Sequence, residues 1–236
     1  MSFKADKIIC EIDYIKNMLV ENFKVSPDKI EKMYLPAESF KTLNDQEKQN
    51  LLSFYRIKEN KKILLFVGKI SLVKGCDTLL KAFDIVRNKY NDAVLIMCGK
   101  IFDKSFAKHI NSKDNSIIYI KPYIDYFKLY QLAEMVILPS RVEPFPFVMV
   151  ESGSNKKAFV GGNTGGMKEF INNGKDGFLI DPENHSELAE KIIYLLNNKH
   201  ATEQLGENLF KKVKEKCDYN KYFCKVDEIY NSLLDQ

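Results

Sequence analysis

The chain has 236 residues, of which 45% are hydrophobic and 29% charged, with a formal net charge of +4. That balance is ordinary for a globular domain, and a mild charge carried by evenly spread lysines gives no reason to expect a nucleic-acid partner. No apolar run approaches the length of a membrane span, and the N-terminal MSFKADKIIC lacks the apolar core of a signal peptide, so a cytoplasmic protein is expected.

Residues 6–10 (DKIIC) predict a strand, 13–23 a helix and 25–40 a turn and connector. One strand cannot bury itself alone. It must join the main sheet or belong to a second one mostly outside this chain. From about residue 60 strands and helices alternate. ILLFV (63–67) is a continuous apolar run, as in a strand covered on both faces. A helix over 76–90 follows, with Leu79, Leu80, Phe83, Val86 and Tyr90 at helical spacing. Further strands are predicted at 93–98, 116–120, 135–138, 158–162 and 178–180, with helices at 127–134, 147–155 and 167–173. This alternation implies an α/β, Rossmann-like, doubly wound parallel sheet. Right-handed crossovers then place the strand-to-helix loops on one edge, where such sheets bind ligands. The C-terminal end reads as helical. Asn184 and Glu187 have capping-box spacing, and amphipathic segments follow at 202–216 and 219–234.

Two loops carry the chemistry. VGKISLVKG (67–75) places Lys69 and Lys74 between Gly68 and Gly75, after an apolar strand. VEPFPFVMVE (142–151) places Glu143 and Glu151 on either side of a Pro and Phe cluster, after another. A carboxylate beside a core-facing run needs a partner or a ligand. A nucleoside diphosphate ester of a sugar needs both kinds of group. Ammonium groups neutralise phosphate and stabilise the departing diphosphate, while an ionised Glu can accept from both hydroxyls of a vicinal diol. The helix starting near Pro146 adds backbone N–H groups and a positive dipole end. The bland readings are a surface-turn lysine for Lys74, a helix-start charge for Glu143, and a simple turn for Thr164-Gly165-Gly166. Each signal is weak alone and stronger in combination at one edge. The five cysteines (Cys10, Cys76, Cys98, Cys217, Cys224) have unrelated spacings and suggest neither disulfides nor zinc. His109, His185 and His200 are scattered and read as structural or surface residues.

On these motifs the chain resembles the C-terminal, donor-binding half of retaining glycosyltransferases of family 4, or group 1, with the GT-B fold. FVGKISLVKGCDTLLKAF resembles the family's basic loop. LPSRVEPFPFVMVE resembles its paired-glutamate signature, and GGNTGGMKEFINNGKDGFLIDPENHSELAEKI the segment that follows. The resemblance implies that residues 1–45 are a remnant of the acceptor domain with the linker, 46–216 the donor-binding domain, and 217–236 a C-terminal helix. It implies that Lys69 and Lys74 bind the donor diphosphate, Glu143 the transferred sugar and Glu151 the ribose. Gly68, Phe145, Pro146, Phe147, Val148 and Gly165 would line phosphate and sugar. Gly99 and the loop with Tyr123 and Ile124 would border the base. Glu143, Lys69 and Lys74 would act catalytically.

The family also implies a donor of UDP or GDP type, no metal and no separate cofactor. Transfer to a glycan or lipid-linked acceptor of a surface-glycan pathway would keep the anomeric configuration. An acceptor lobe, from a second polypeptide or a longer parent chain, would complete the cleft and bring peripheral contact with the inner face of a membrane. Two departures stand out: Pro146 replaces the family's usual glycine, and the acceptor half is not in this sequence. Both favour the alternative of a sugar-nucleotide-binding or partner-subunit module without catalysis, while retention of both glutamates and both lysines argues against it.

Overall fold

The computed structural model describes residues 4–37, 41–107, 116–121 and 125–234. Among these residues, a parallel sheet of six strands runs in the order β5-β4-β3-β6-β7-β8. The strands are β3 (Lys62–Val67), β4 (Ala93–Cys98), β5 (Ile117–Ile120), β6 (Met135–Leu138), β7 (Ala158–Gly162) and β8 (Phe178–Ile180). β3 pairs in register with β4 on one side and with β6 on the other. Counted within this sheet the order is 3-2-1-4-5-6, the doubly wound arrangement, and its switch point lies between β3 and β6. The helices are α1 (Asp13–Glu21), α2 (Asp45–Phe54), α3 (Cys76–Lys89), α4 (Lys128–Leu132), α5 (Phe147–Ser154), α6 (Gly165–Phe170), α7 (His185–Asn197), α8 (Lys199–Lys216) and α9 (Tyr219–Leu234).

β3, β4 and β6 carry almost unbroken apolar sequence because both faces are covered. Leu64, Leu65, Phe66, Leu95, Ile96 and Val136 have no solvent exposure. Cys98, at the end of β4, is buried, and burial pushes its thiol up to about 11. All five cysteines are free thiols. Glycine is required where β3 and β4 end side by side. Gly99 has φ +158°, and a Cβ there would lie 1.7 Å from the Gly68 carbonyl oxygen.

The predicted N-terminal strand lies outside this sheet. β1 (Ile8–Cys10) pairs in parallel with β2 (Ile30–Lys32), which falls inside the stretch read as connector. β2 is only three residues, IEK, too short and polar to register as an apolar run. Cys10, Leu19, Val25 and Ile30 form a small core of its own for this βαβ unit. An ionic and aromatic seam fastens the unit to the large sheet. Lys32 Nζ lies 2.6 Å from both Asp13 Oδ2 and Glu169 Oε1. The Tyr34 ring stacks on Phe145 at 5.2 Å and meets the edge of Phe170 at 5.2 Å.

α2 also goes beyond the sequence reading. Its apolar face is weak, but Asn44 accepts from the Glu47 amide and Glu47 accepts from the Asn44 amide, both at 2.8 Å. This reciprocal cap was visible as N-x-x-E. Asn44→Ala is expected to cost about 1 kcal/mol of stability, measured by urea unfolding, and an unchanged midpoint would deny the cap that role. At α7 the expected capping box is only half made. Asn184 accepts from the Glu187 amide at 3.0 Å, while Glu187 Oε2 accepts instead from the Asp181 amide at 3.0 Å. α6 begins two residues before the predicted start and ends at Phe170, three residues short. The α8 helix begins at Lys199, earlier than the predicted 202.

Candidate active site

All strands of the large sheet run parallel, so the loops after β3, β4, β6 and β7 share one edge. The two charged loops flank the switch point, and their side chains meet across it. Lys74 Nζ pairs with Glu143 Oε2, from residues 69 positions apart in sequence, and both side chains are largely shielded from solvent. That contact brings one residue from each charged loop together. Lys69 is exposed on the same loop, its ammonium 5.9 Å from the centre of the Phe102 ring.

Hydrogen bonds lock the loops after β3, β6 and β7 together. The Arg141 amide donates to the Val73 carbonyl at 2.9 Å, and Thr164 Oγ1 donates to the Ser140 carbonyl at 3.0 Å. The Gly166 amide donates to the Glu143 carbonyl at 3.1 Å. Gly165, at φ +47°, sits so close to Glu143 that a Cβ would come within 1.8 Å of its carbonyl oxygen. Gly165 is therefore more than a turn residue: its lack of a side chain is what lets α6 approach the Glu143 backbone.

Sequence reasoning passed over Arg141, which anchors this arrangement. Its guanidinium bonds Asp77 through two nitrogens at 2.8 and 2.9 Å, reaches both oxygens of Glu183 and donates to the Leu72 carbonyl. Burial would raise the Asp77 carboxyl, but the hydrogen bonds and charge of Arg141 outweigh it and hold the group below the usual range. A fork with five donors suits this task as a lysine would not. The Ser-Arg-Val-Glu string put Arg141 beside Glu143, but its partners are remote in sequence.

α5 begins at Phe147, the predicted start. Pro146 is the N-cap, not the first helical residue, with ψ 124° and its carbonyl accepting from the Met149 amide at 3.1 Å. Its missing N–H would not have entered the helix ladder. Phe147 and Val148, the first two helical residues, precede Met149, the first amide to donate within the helix, so their own amides remain available at the helix start. Phe147 is exposed, Val148 half-buried and Pro146 buried. The Phe145 ring is committed to the seam with Tyr34 and Phe170.

Glu151 lies one turn further along α5, half-buried. Its Oε1 accepts from the Tyr126 hydroxyl at 2.7 Å and its Oε2 from the Tyr130 hydroxyl. The carboxylate in an apolar context thus has partners, and they are phenols rather than cations. Tyr130 was readable only as a core residue of α4. Gly68 and Gly99 close the ends of β3 and β4, the Gly68 amide bonding the Cys98 carbonyl at 2.9 Å. Tyr123, Ile124 and His109 lie outside the described residues.

A cleft of about 460 Å3 opens where the N-terminal unit faces the Glu143 loop. Tyr14 and Ile15 form one wall, and Glu143, Thr164, Gly165 and Lys168 the other. Lys69, Lys74 and Glu151 are not in this lining. Among the described residues no helix is long and apolar enough to cross a membrane.

Known proteins resemble this chain in sequence and in fold. An uncharacterized glycosyltransferase of Methanocaldococcus jannaschii is 29% identical over 233 residues, covering 98% of this chain and 61% of that protein. The chain thus spans less than two thirds of that relative's length. A crystal structure of a glycosyltransferase from Rickettsia africae superposes with a TM-score of 0.88 at 25% identity, covering 97% of this chain and 64% of that one. The Anabaena protein HepE, crystallised in complex with UDP-glucose, shares the fold with a TM-score of 0.85 at 19% identity, covering 97% and 64% respectively. The family model described as glycosyl transferases group 1 matches residues 47–212, a span that includes the Lys69–Lys74 loop, both glutamates and the Gly165–Gly166 pair. By that match the chain belongs to the group 1 glycosyltransferases.

Proposed function

We propose that the chain is the donor-binding half of a retaining glycosyltransferase that uses a nucleoside-diphosphate sugar. The observation that carries this reading is the Lys74–Glu143 contact at the β3/β6 switch point, with the phenol-held Glu151 one turn into the α5 helix that follows. The transferred sugar occupies the cleft beside Glu143. The diphosphate lies against Lys74, Lys69 and the Phe147 and Val148 amides, and the ribose against Glu151. Gly68, Gly99 and Gly165 border the ligand. HepE, which shares the fold, was crystallised with UDP-glucose, and this supports a donor of the UDP type.

Charge placement suggests how such a site acts. As the bond from anomeric carbon to phosphate oxygen breaks, negative charge grows on the diphosphate and positive charge on the sugar ring. Ammonium groups and helix amides stabilise the first, and the Glu143 carboxylate the second. The diphosphate is neutralised by protein groups without a requirement for a metal ion. The acceptor hydroxyl then attacks from the face the diphosphate leaves and passes its proton to the departing phosphate oxygen, which retains configuration. An acceptor lobe contributed by further polypeptide closes over the cleft and excludes water, which strengthens each of these interactions.

Calorimetry with UDP, GDP and ADP, followed by a donor-hydrolysis assay, tests the reading. Glu151→Gln keeps the volume but replaces one acceptor oxygen by a donor. It is expected to weaken binding of the preferred diphosphate by about 10- to 100-fold. Unchanged affinity would refute the ribose assignment. Tight nucleotide binding with no donor turnover, even with an acceptor lobe supplied, would favour a binding module.

A further inference from the structure

We propose that Tyr126 and Tyr130 are positioning residues for the Glu151 carboxylate, and that this phenol pair makes the site selective for ribo- over 2′-deoxyribonucleoside diphosphates. The inference rests on the ribose role of Glu151 argued above. Each phenol donates to a different carboxylate oxygen, Tyr126 to Oε1 at 2.7 Å and Tyr130 to Oε2. An ionised carboxylate has about four lone-pair directions. Among the described residues two are used by the tyrosines, and two remain, the number a vicinal diol requires.

The donors are fixed. Tyr130 is wholly buried on α4, and Tyr126 precedes it by four residues, half-buried in the turn that leads into the helix. Residues four apart in a helical stretch share a face, so both hydroxyls reach one acceptor. Burial, reinforced by the charge of Glu151, pushes the Tyr130 phenol well above its ordinary range, so it stays neutral and remains a donor. A phenolate there would repel the carboxylate.

The chemical choice matters as well. A lysine partner would neutralise Glu151, whereas a phenol orients it and leaves its full negative charge for a ligand. The two signature glutamates thus have contrasting partners: Glu143 is paired with an ammonium group, and Glu151 is held by neutral donors. A carboxylate fixed at both oxygens cannot swing to follow a sugar that lacks one hydroxyl. The lone pair meant for the 2′-hydroxyl is then left without a donor.

The test is calorimetry on the full chain with UDP, GDP and ADP, each beside its 2′-deoxy counterpart. The wild type is expected to prefer the ribonucleotide by about 10- to 100-fold. Tyr126→Phe should reduce that preference to roughly 3-fold, with affinity for the deoxynucleotide retained. A loss of packing alone would weaken both nucleotides alike. Tyr130→Phe should act in the same direction, and Tyr126→Phe decides the matter if the buried variant unfolds. Equal loss for ribo and deoxy forms, or an intact preference in Tyr126→Phe beside a collapsed one in Glu151→Gln, overturns the phenol proposal alone. A preference untouched by Glu151→Gln removes the ribose assignment itself, and binding of no diphosphate removes both.

Discussion

Lys74→Ala is expected to weaken UDP binding by about 10- to 100-fold while changing uridine binding by no more than about 2-fold. Two effects add in the same direction. The variant loses a cation from the loop that faces the diphosphate, and it leaves Glu143 without its counter-charge. An uncompensated carboxylate beside a diphosphate repels it, and partial shielding from solvent keeps that repulsion from being screened away. Uridine carries no phosphate, so neither effect touches it. Titration of the variant with both ligands gives the answer. Parallel losses would remove Lys74 from the phosphate and leave it a structural partner of Glu143. Among the described residues Lys69, exposed and lying over Phe102, has no carboxylate partner. Its replacement should cost less than that of Lys74.

Gly165→Ala should have the largest effect on stability, about 2–4 kcal/mol. In a protein of this size that corresponds to a fall in melting temperature of roughly 5–15 °C. The added methyl would stand 1.8 Å from the Glu143 carbonyl oxygen, on a residue whose φ of +47° already disfavours a side chain. The colliding atom is backbone, so no rotamer change relieves the contact. Either α6 retreats or the Glu143 loop moves. In both cases the Gly166 amide loses the Glu143 carbonyl, and Glu143 leaves its place beside Lys74. Thermal unfolding and UDP titration of the variant should therefore fail together. A variant with wild-type melting and wild-type affinity would show that the loop tolerates displacement and that close approach at Gly165 is not what places Glu143.

These expectations differ in where they became legible. The β3, β4 and β6 strands were readable because a strand covered on both faces has no polar alternation to hide it, and AFVGG and FLI fell at their observed positions for the same reason. β2 was not readable, because IEK is stabilised by pairing with β1 and by the Lys32 ion pairs rather than by its own hydrophobicity. α2 was missed although its capping box was present in the sequence. The four charged site residues were legible as types in a pattern. Arg141, Tyr126 and Tyr130 were not. An arginine or tyrosine announces a role only through its partners, and those partners lie far away along the chain.

The sequence alone determined the layered α/β architecture, since continuous apolar strands alternating with amphipathic helices have few ways to bury themselves. It also determined which loops carry charge, because glycine-bounded lysines and glutamates beside apolar runs are local facts. Only the tertiary structure decided which charges meet. Lys74 lies against Glu143 because the strand order places β3 next to β6. Glu151 is oriented by phenols because α4 packs Tyr130 into the core beside it. Pairing depends on crossover and packing geometry, which no local window of residues encodes.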